Sequence, residues 1–301
     1  MANQPLDNFL RLLHSSDKRN VALALEMAKG IPQFHSVVQD YQDVYQACFA
    51  KSIQAPPTLQ VMALNQSNLR VNTTQRVTIP GGIRQLISLE SLHFVDCQIA
   101  PLPDELGTLP KLRVLFFSNN ELTQLPIELS KFPHIHLLFI EHNYALPFET
   151  ILEQAPHVSE LDLAHMRYQE IPPNIQQLTH LKNLRLHNNF LSQLPPEIGQ
   201  LKNLKSLIVS RNHLRSLPAA IGTLSKLYKL ILTHNQLTEL PFEMAHLQKL
   251  ELLDLCNNQF KTLPPVLKHL PNLREVHLSN NPMPVSEKAK LRDWLPHCRT
   301  A

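Results

Sequence analysis

The sequence predicts an α/β solenoid in which short parallel strands line one face and tighter segments return the chain along the other. Three observations carry that expectation. From Gln66 the chain falls into ten consecutive blocks of 23 residues without insertion or deletion, on the template LxxLxLxxNxLxxLPxxIxxLxx. Within each block an LxL pair alternates as one strand does, with successive side chains on opposite faces. No block could bury its leucines alone, so neighbours must stack to form a core.

The repeat is plainest in four adjacent blocks. Leu181, Leu184, Leu186, Asn189, Leu191, Leu194, Pro195, Ile198 and Leu201 recur 23 residues later as Leu204, Leu207, Val209, Asn212, Leu214, Leu217, Pro218, Ile221 and Leu224. The series continues through the blocks that open at Leu227 and Leu250 and ends with the one at Leu273. Strands stacked about 4.8 Å apart would give a curved sheet on the order of 45 Å long.

This period and lettering resemble the leucine-rich repeat family, over about three quarters of the chain. The Leu-Pro of the second half-block is similar to the intracellular 23-residue class found in Ras-binding and bacterial repeat proteins. The resemblance implies a right-handed β-α superhelix, a horseshoe with a parallel concave sheet, and a protein that acts by binding other proteins.

Each part of the block has a physical reason. Pro80, Pro103, Pro126, Pro172, Pro195, Pro218, Pro241 and Pro264 follow one apolar position, where a fixed φ and a missing N–H suit a turn outside the sheet. Asn120, Asn143, Asn189, Asn212, Asn235, Asn258 and Asn281 each offer two donors and an acceptor for buried backbone groups. Thr74 and Cys97 stand in that column with weaker bonds, and Met166 predicts a local defect. The Ile135 block also lacks Leu-Pro in frame, with Phe148 and Glu149 there instead, and FETILEQA reads as a longer helix.

The ends read differently. Residues 1–57 are expected to form a three-helix cap, with stripes at Leu6, Phe9, Leu10 and Leu13, then at Val21 to Ala28 behind Ser16 or Asp17, then from Phe34 to Phe49. Repeats are assigned to 58–283, with Leu59, Met62, Leu64 and Leu69 compatible with a degenerate strand before the first regular block. Residues 284–301 are expected to form a C-terminal helical cap N-capped by Ser286, with Val285, Leu291, Trp294 and Leu295 on its apolar side.

Composition narrows the function. A net charge of +3 is too small to argue for nucleic acid or a membrane surface, and no apolar run is long enough to span a bilayer. The stretch from Met1 to Asn20 lacks an apolar signal core. Cys48, Cys97, Cys256 and Cys298 show no paired spacing, which points to a reducing cytoplasm. Only six glycines are present, with no phosphate-binding loop, and no nucleophile motif or HExxH-type ligand spacing occurs. No catalytic, cofactor or metal residues are therefore expected, despite the 16 histidines.

Function is left to the inner-face positions beside the leucines. Val114, Phe116, Leu137 and Phe139 are expected to expose an apolar patch, with His93 beside it. Glu160, Asp162, Arg185 and His187 should form a charged band, followed by Ile208 and Ile231. Apolar anchors beside charges suit a protein partner. The reading is a monomeric, non-catalytic cytoplasmic adaptor or signalling scaffold. A secreted effector that binds a host protein is the alternative.

Overall fold

The computed structural model describes residues 4–49, 55–125 and 127–300. It divides into two compact units, Met1–His136 and Leu137–Ala301. Pro126, one of the turn prolines, lies outside the described residues.

The first unit opens with helices α1 (Gln4–Leu13), α2 (Lys18–Gly30), α3 (Pro32–Phe49) and α4 (Pro57–Leu64). Asp17 caps α2, accepting from the Arg19 N–H at 2.8 Å. Phe9 and Phe34 stack at 4.2 Å and are fully buried with Leu13, Val21, Ala24, Tyr41 and Val44. The expected stripes thus face one core. The cap has a fourth helix, however, where a degenerate strand was compatible with the leucine spacing. Pro57 supplies the fixed φ that suits a first helical turn.

The strands of this unit are β1 (Asn68–Asn72), β2 (Arg76–Val77), β3 (Ser91–Val95), β4 (Gln98–Ile99) and β5 (Val114–Ser118). β3 pairs in parallel with both β1 and β5, each residue facing its counterpart 23 positions on, as in Arg70↔His93 and His93↔Phe116. Tyr41 donates to Asn65 Oδ1 at 2.8 Å, and Asn65 Nδ2 donates to the Leu13 carbonyl at 2.7 Å, tying α3 and α1 to the C-terminal end of α4. A Cβ at Gly82 would lie 2.8 Å from Asp40 Cβ, so only glycine lets the first outer turn approach α3 this closely.

The second unit contains β6 (Leu137–Phe139), α5 (Phe148–Gln154), β7 (Glu160–Asp162), β8 (Asn183–Arg185), β9 (Ser206–Ile208), β10 (Lys229–Ile231), β11 (Leu252–Asp254), β12 (Glu275–His277), α6 (Val285–Trp294) and β13 (Arg299–Thr300). The strands lie side by side in chain order and pair in parallel. A 3-10 turn follows Pro172, Pro195, Pro218, Pro241 and Pro264, each proline with φ between −59° and −70°. In the Ile135 block Pro147 takes this role two residues before the template position, and the expected longer helix follows as α5.

The C-terminal segment differs from expectation. Pro284, not Ser286, occupies the N-cap of α6, with no side-chain cap bond, and Val285 is 83% exposed rather than on the apolar side. The segment also ends in a strand. Glu275 faces Arg299, an offset of 24 rather than 23, because α6 replaces the usual 3-10 turn. Lys268 Nζ sits 4.1 Å from the centre of the Trp294 ring, a cation–π contact that holds the tryptophan at this end.

The asparagine column behaves as its chemistry requires. Asn258 Nδ2 donates to the carbonyls of Leu232 and Leu255 at 3.0 Å each, while its Oδ1 accepts from Leu237 N–H at 3.1 Å. Asn189, Asn212, Asn235 and Asn281 repeat the pattern of donation to their own and the preceding block. Cys97 substitutes by donating from Sγ to Val71 and Val95 carbonyls at 3.4 and 3.1 Å. Thr74 is exposed and does not take the buried position. At Met166 the thioether accepts the Asn143 N–H at 3.4 Å, and the defect appears in the backbone, where both His165 and Arg167 have positive φ.

The residue before each column position from Asp96 to Asn280 is left-handed, with φ from 54° to 60°, and none is glycine. Asn, Asp and His tolerate this conformation best among residues with a Cβ. Arg211, at φ 54°, is the poor fit. We expect Arg211→Asn to stabilise the fold by about 0.5–1 kcal/mol, read as a rise in the urea midpoint; an unchanged or lower midpoint would contradict the strain. Asn258→Ala should cost about 1–3 kcal/mol, because the carbonyls it serves remain buried. A loss within error in the same titration would remove the asparagine column from the account of stability.

Candidate binding face

Strand alternation decides which side chains can meet a ligand. In the first unit Leu69, Leu92 and Leu115 enter the core, so Arg70, His93 and Phe116 face the other way. The His93 ring stacks on Phe116 at 4.0 Å and 10°, and its Nε2 lies 2.9 Å from Ser91 Oγ. Ser91 in turn donates to Asn68 Oδ1. Val114 and Phe116 are half-buried, not openly exposed. Burial lowers the His93 pKa below its ordinary value, and the Arg70 charge adds to the effect.

In the second unit the register runs Phe139, Asp162, Arg185, Ile208, Ile231, Asp254, His277 across successive strands. Leu137, Phe139, Glu160, His187, Ile208 and Ile231 are all half-buried. The apolar residues Val114, Phe116, Leu137 and Phe139 are therefore divided between the two units, and each is partly covered rather than laid open.

Asp162 departs further from expectation. It is only 8% exposed, so it underlies the charged band instead of presenting a charge. Its Oδ1 accepts the Ala164 N–H at 3.0 Å, and burial raises its pKa, against the opposing pull of that hydrogen bond and of Arg185. A raised carboxyl pKa means that this group's contribution to stability falls as pH rises from the ordinary carboxylate value to the folded one.

Arg185 is the most pointed group on this face. Its Nε is 3.9 Å from Asp162 Oδ2, and its guanidinium carbon lies 5.8 Å from the centre of the Phe139 ring. Its Nη1 is shielded from solvent and has no acceptor among the described residues. Beside it, His165 stacks on His142 at 4.2 Å and meets His187 edge-on at 5.3 Å. Burial lowers the His165 pKa, with the neighbouring imidazoles contributing.

Two features of the second unit do not stand out along the linear sequence. One is a groove of about 650 Å³ lined by Lys205, Lys226, Tyr228, Lys249, Glu251 and Asn272, where Lys205, Tyr228 and Glu251 each immediately precede a strand. The other is the convergence of Asp254, Cys256 and His277. Column reading at a 23-residue step brings out both, provided several columns are read together.

The leucine-rich repeat region family matches residues 156–295, within the second unit. Residues 156–295 are a leucine-rich repeat region. Its fold is similar to that of an internalin from Listeria monocytogenes, with 20% identity, TM-score 0.56, and coverage of 88% of this chain and 89% of that one. It is also similar to the leucine-rich repeat ectodomain of the plant membrane receptor kinase GASSHO1/SCHENGEN3 from Arabidopsis thaliana, in complex with CASPARIAN STRIP INTEGRITY FACTOR 2, at 31% identity and TM-score 0.54. That match covers 72% of the present repeat protein and 27% of the receptor chain. A leucine-rich repeat protein from Leptospira interrogans aligns over 89% of this chain and 98% of its own, at 23% identity and TM-score 0.45. Comparison with curated proteins returned no match. Among the described residues, no helix of this repeat protein is long and apolar enough to cross a membrane.

The lowered histidine pKa values set a sign for acid sensitivity. A neutral-favouring fold keeps its stability above the ordinary imidazole pKa and loses it as pH falls through that value toward the folded one. His14, whose pKa burial lowers and whose Nε2 has no partner among the described residues, follows the same rule as His93 and His165. Melting temperature should therefore drop between about pH 7.5 and 5.5, and His14→Gln should make the drop shallower. A slope identical in wild type and variant would show that His14 does not report on folding.

Proposed function

We propose that this leucine-rich repeat protein is a non-catalytic module that holds a protein partner on its inner face, as an intracellular adaptor or signalling scaffold. The observation that carries the reading is Arg185. A guanidinium next to an aromatic ring, with one shielded N–H₂ lacking an acceptor, is incomplete until a carbonyl or carboxylate from outside supplies one. Half-buried Phe139, Ile208 and Ile231 on the same face give apolar contact around that polar anchor. Arginine with aromatic neighbours is the composition enriched where truncation costs binding most.

Two further facts support the reading. The Arabidopsis receptor similar to this chain is in complex with a named factor, so a repeat array of this kind accommodates a ligand there. All four cysteines are free, and Cys48 and Cys97 are buried as thiols, which suits a reducing compartment. In the first unit, the His93–Phe116 stack offers a second place for the same partner or another.

Partner capture by the full chain tests the proposal. Arg185→Ala and Phe139→Ser should each reduce retention of the wild-type partner about 30-fold or more, as losses of 2 kcal/mol or more at a binding centre do. Phe116→Ser tests the first unit separately. Melting temperatures should move little, since these side chains lie outside the leucine core. Retention unchanged in Arg185→Ala and Phe139→Ser, or lost only in step with melting temperature, would overturn the assignment.

A further inference from the structure

We propose that Asp254, Cys256 and His277 form a binding site for a zinc-class divalent cation on the inner face of the second unit. The three residues offer a carboxylate oxygen, a thiol sulfur and an imidazole nitrogen whose atoms all lie within 4.8 Å of one another. His277 Nδ1 and Asp254 Oδ2 are 3.8 Å apart. Two ligands on one tetrahedral zinc ion, with bond lengths of about 2.0–2.3 Å, stand roughly 3.5 Å apart. The observed spacing therefore closes onto an ion with small side-chain rotations and no backbone movement.

Backbone geometry explains why the three converge. Asp254 and Cys256 are two residues apart and project from the same face of β11 and its extension. His277 faces Asp254 across the β11–β12 ladder. The Cys256 N–H donates to Asp254 Oδ1 at 3.1 Å, which fixes one carboxylate oxygen and leaves Oδ2 turned toward the imidazole. Ser279 of the neighbouring block lies beside the Cys256 thiol. Such outer partners are what hold metal ligands in position. All three side chains are half-buried, so solvent reaches the site while the stems are held.

The donor set selects the ion. A thiolate with an imidazole suits zinc and disfavours magnesium or calcium, which take oxygen ligands. Binding requires the Cys256 thiol to release its proton to solvent, leaving thiolate, neutral imidazole and carboxylate on the ion. Three protein ligands leave a fourth tetrahedral position for water or for a donor group from outside. An ion here would clasp β11 to β12 and present an open coordination site on the face assigned to partner binding. The site does not depend on that assignment, because metal binding is measured on the chain alone.

The test uses the full chain, reduced, stripped with a chelator and then titrated with zinc against a chromophoric indicator. Cobalt(II) serves as a spectroscopic stand-in. Wild type should take up one equivalent of zinc and show a thiolate-to-cobalt charge-transfer band with four-coordinate ligand-field absorption. Cys256→Ser should abolish the band and weaken zinc binding at least about tenfold, with comparable weakening in Asp254→Asn and His277→Gln. Cys298→Ser, a half-buried thiol outside the cluster, should leave both unchanged. Zinc should raise the melting temperature of wild type and of Cys298→Ser but not of the three ligand variants. Absence of stoichiometric binding in wild type, or a charge-transfer band that survives Cys256→Ser, overturns the site. Should one ligand variant fail to fold, the wild-type cobalt spectrum and the other two variants still decide the question.

Discussion

Everything in the repeat region depends on the buried asparagine amide. Stacking parallel strands at a 23-residue step buries leucines efficiently, yet each turn from strand to outer segment also buries carbonyls that the ladder does not reach. One amide side chain reaches its own block and the preceding one at once, as Asn212 does toward the Val209 and Leu186 carbonyls. Without it the desolvation of those groups would offset much of the gain from burying leucine. The residue before each of these positions is left-handed, also where Cys97 and Met166 stand in place of asparagine, so the turn itself imposes that backbone and the amide serves the carbonyls it buries. A single side chain thus satisfies two blocks and couples neighbours.

That coupling explains why irregularities stay local. Where Met166 replaces asparagine, a second left-handed residue appears at Arg167, and Asn189 Oδ1 turns to accept from both Met166 and Tyr168 N–H groups at 3.0 and 3.1 Å. The next blocks resume the regular pattern. In a quasi-one-dimensional stack each repeat contacts only its neighbours, so a defect is absorbed by the adjoining block rather than spread. The two-residue advance of Pro147 behaves similarly, because α5 takes up the altered path before β7 begins.

The columns that build the scaffold were legible because each position recurs in the same environment, which makes the letter at that position a direct report of burial. Single-copy segments lack this averaging. Residues 56–65 carry leucines at spacings that suit a strand of the template and a helical turn equally, and only the packing of α4 against α2 and α3 decides between them. Ser286 has the chemistry of a cap, but Pro284 sets the extended conformation earlier and takes the position. The strand at Arg299–Thr300 contains no LxL pair, and its pairing comes from position beside β12 rather than from its own residues.

The inner-face positions are legible in the sequence as a set of columns and their depth is not, for a reason that follows from the sheet. Alternation tells which side of a strand a residue occupies, not how much its neighbours cover it. Asp162 stands beside Arg185 in register, and its carboxylate bends back to the Ala164 N–H, so a residue assigned to a charged surface becomes a buried support. The same neighbour effect turns Phe116 and Phe139 from open patches into rings flanked by His93 and Arg185. It also makes new chemistry, since Asp254, Cys256 and His277 mean nothing as a linear motif and become a ligand set only when the 23-residue step lays one block beside the next. A repeat scaffold frees its inner columns from the demands of the core, and what those columns do is decided pairwise, between strands that are distant in sequence and adjacent in register.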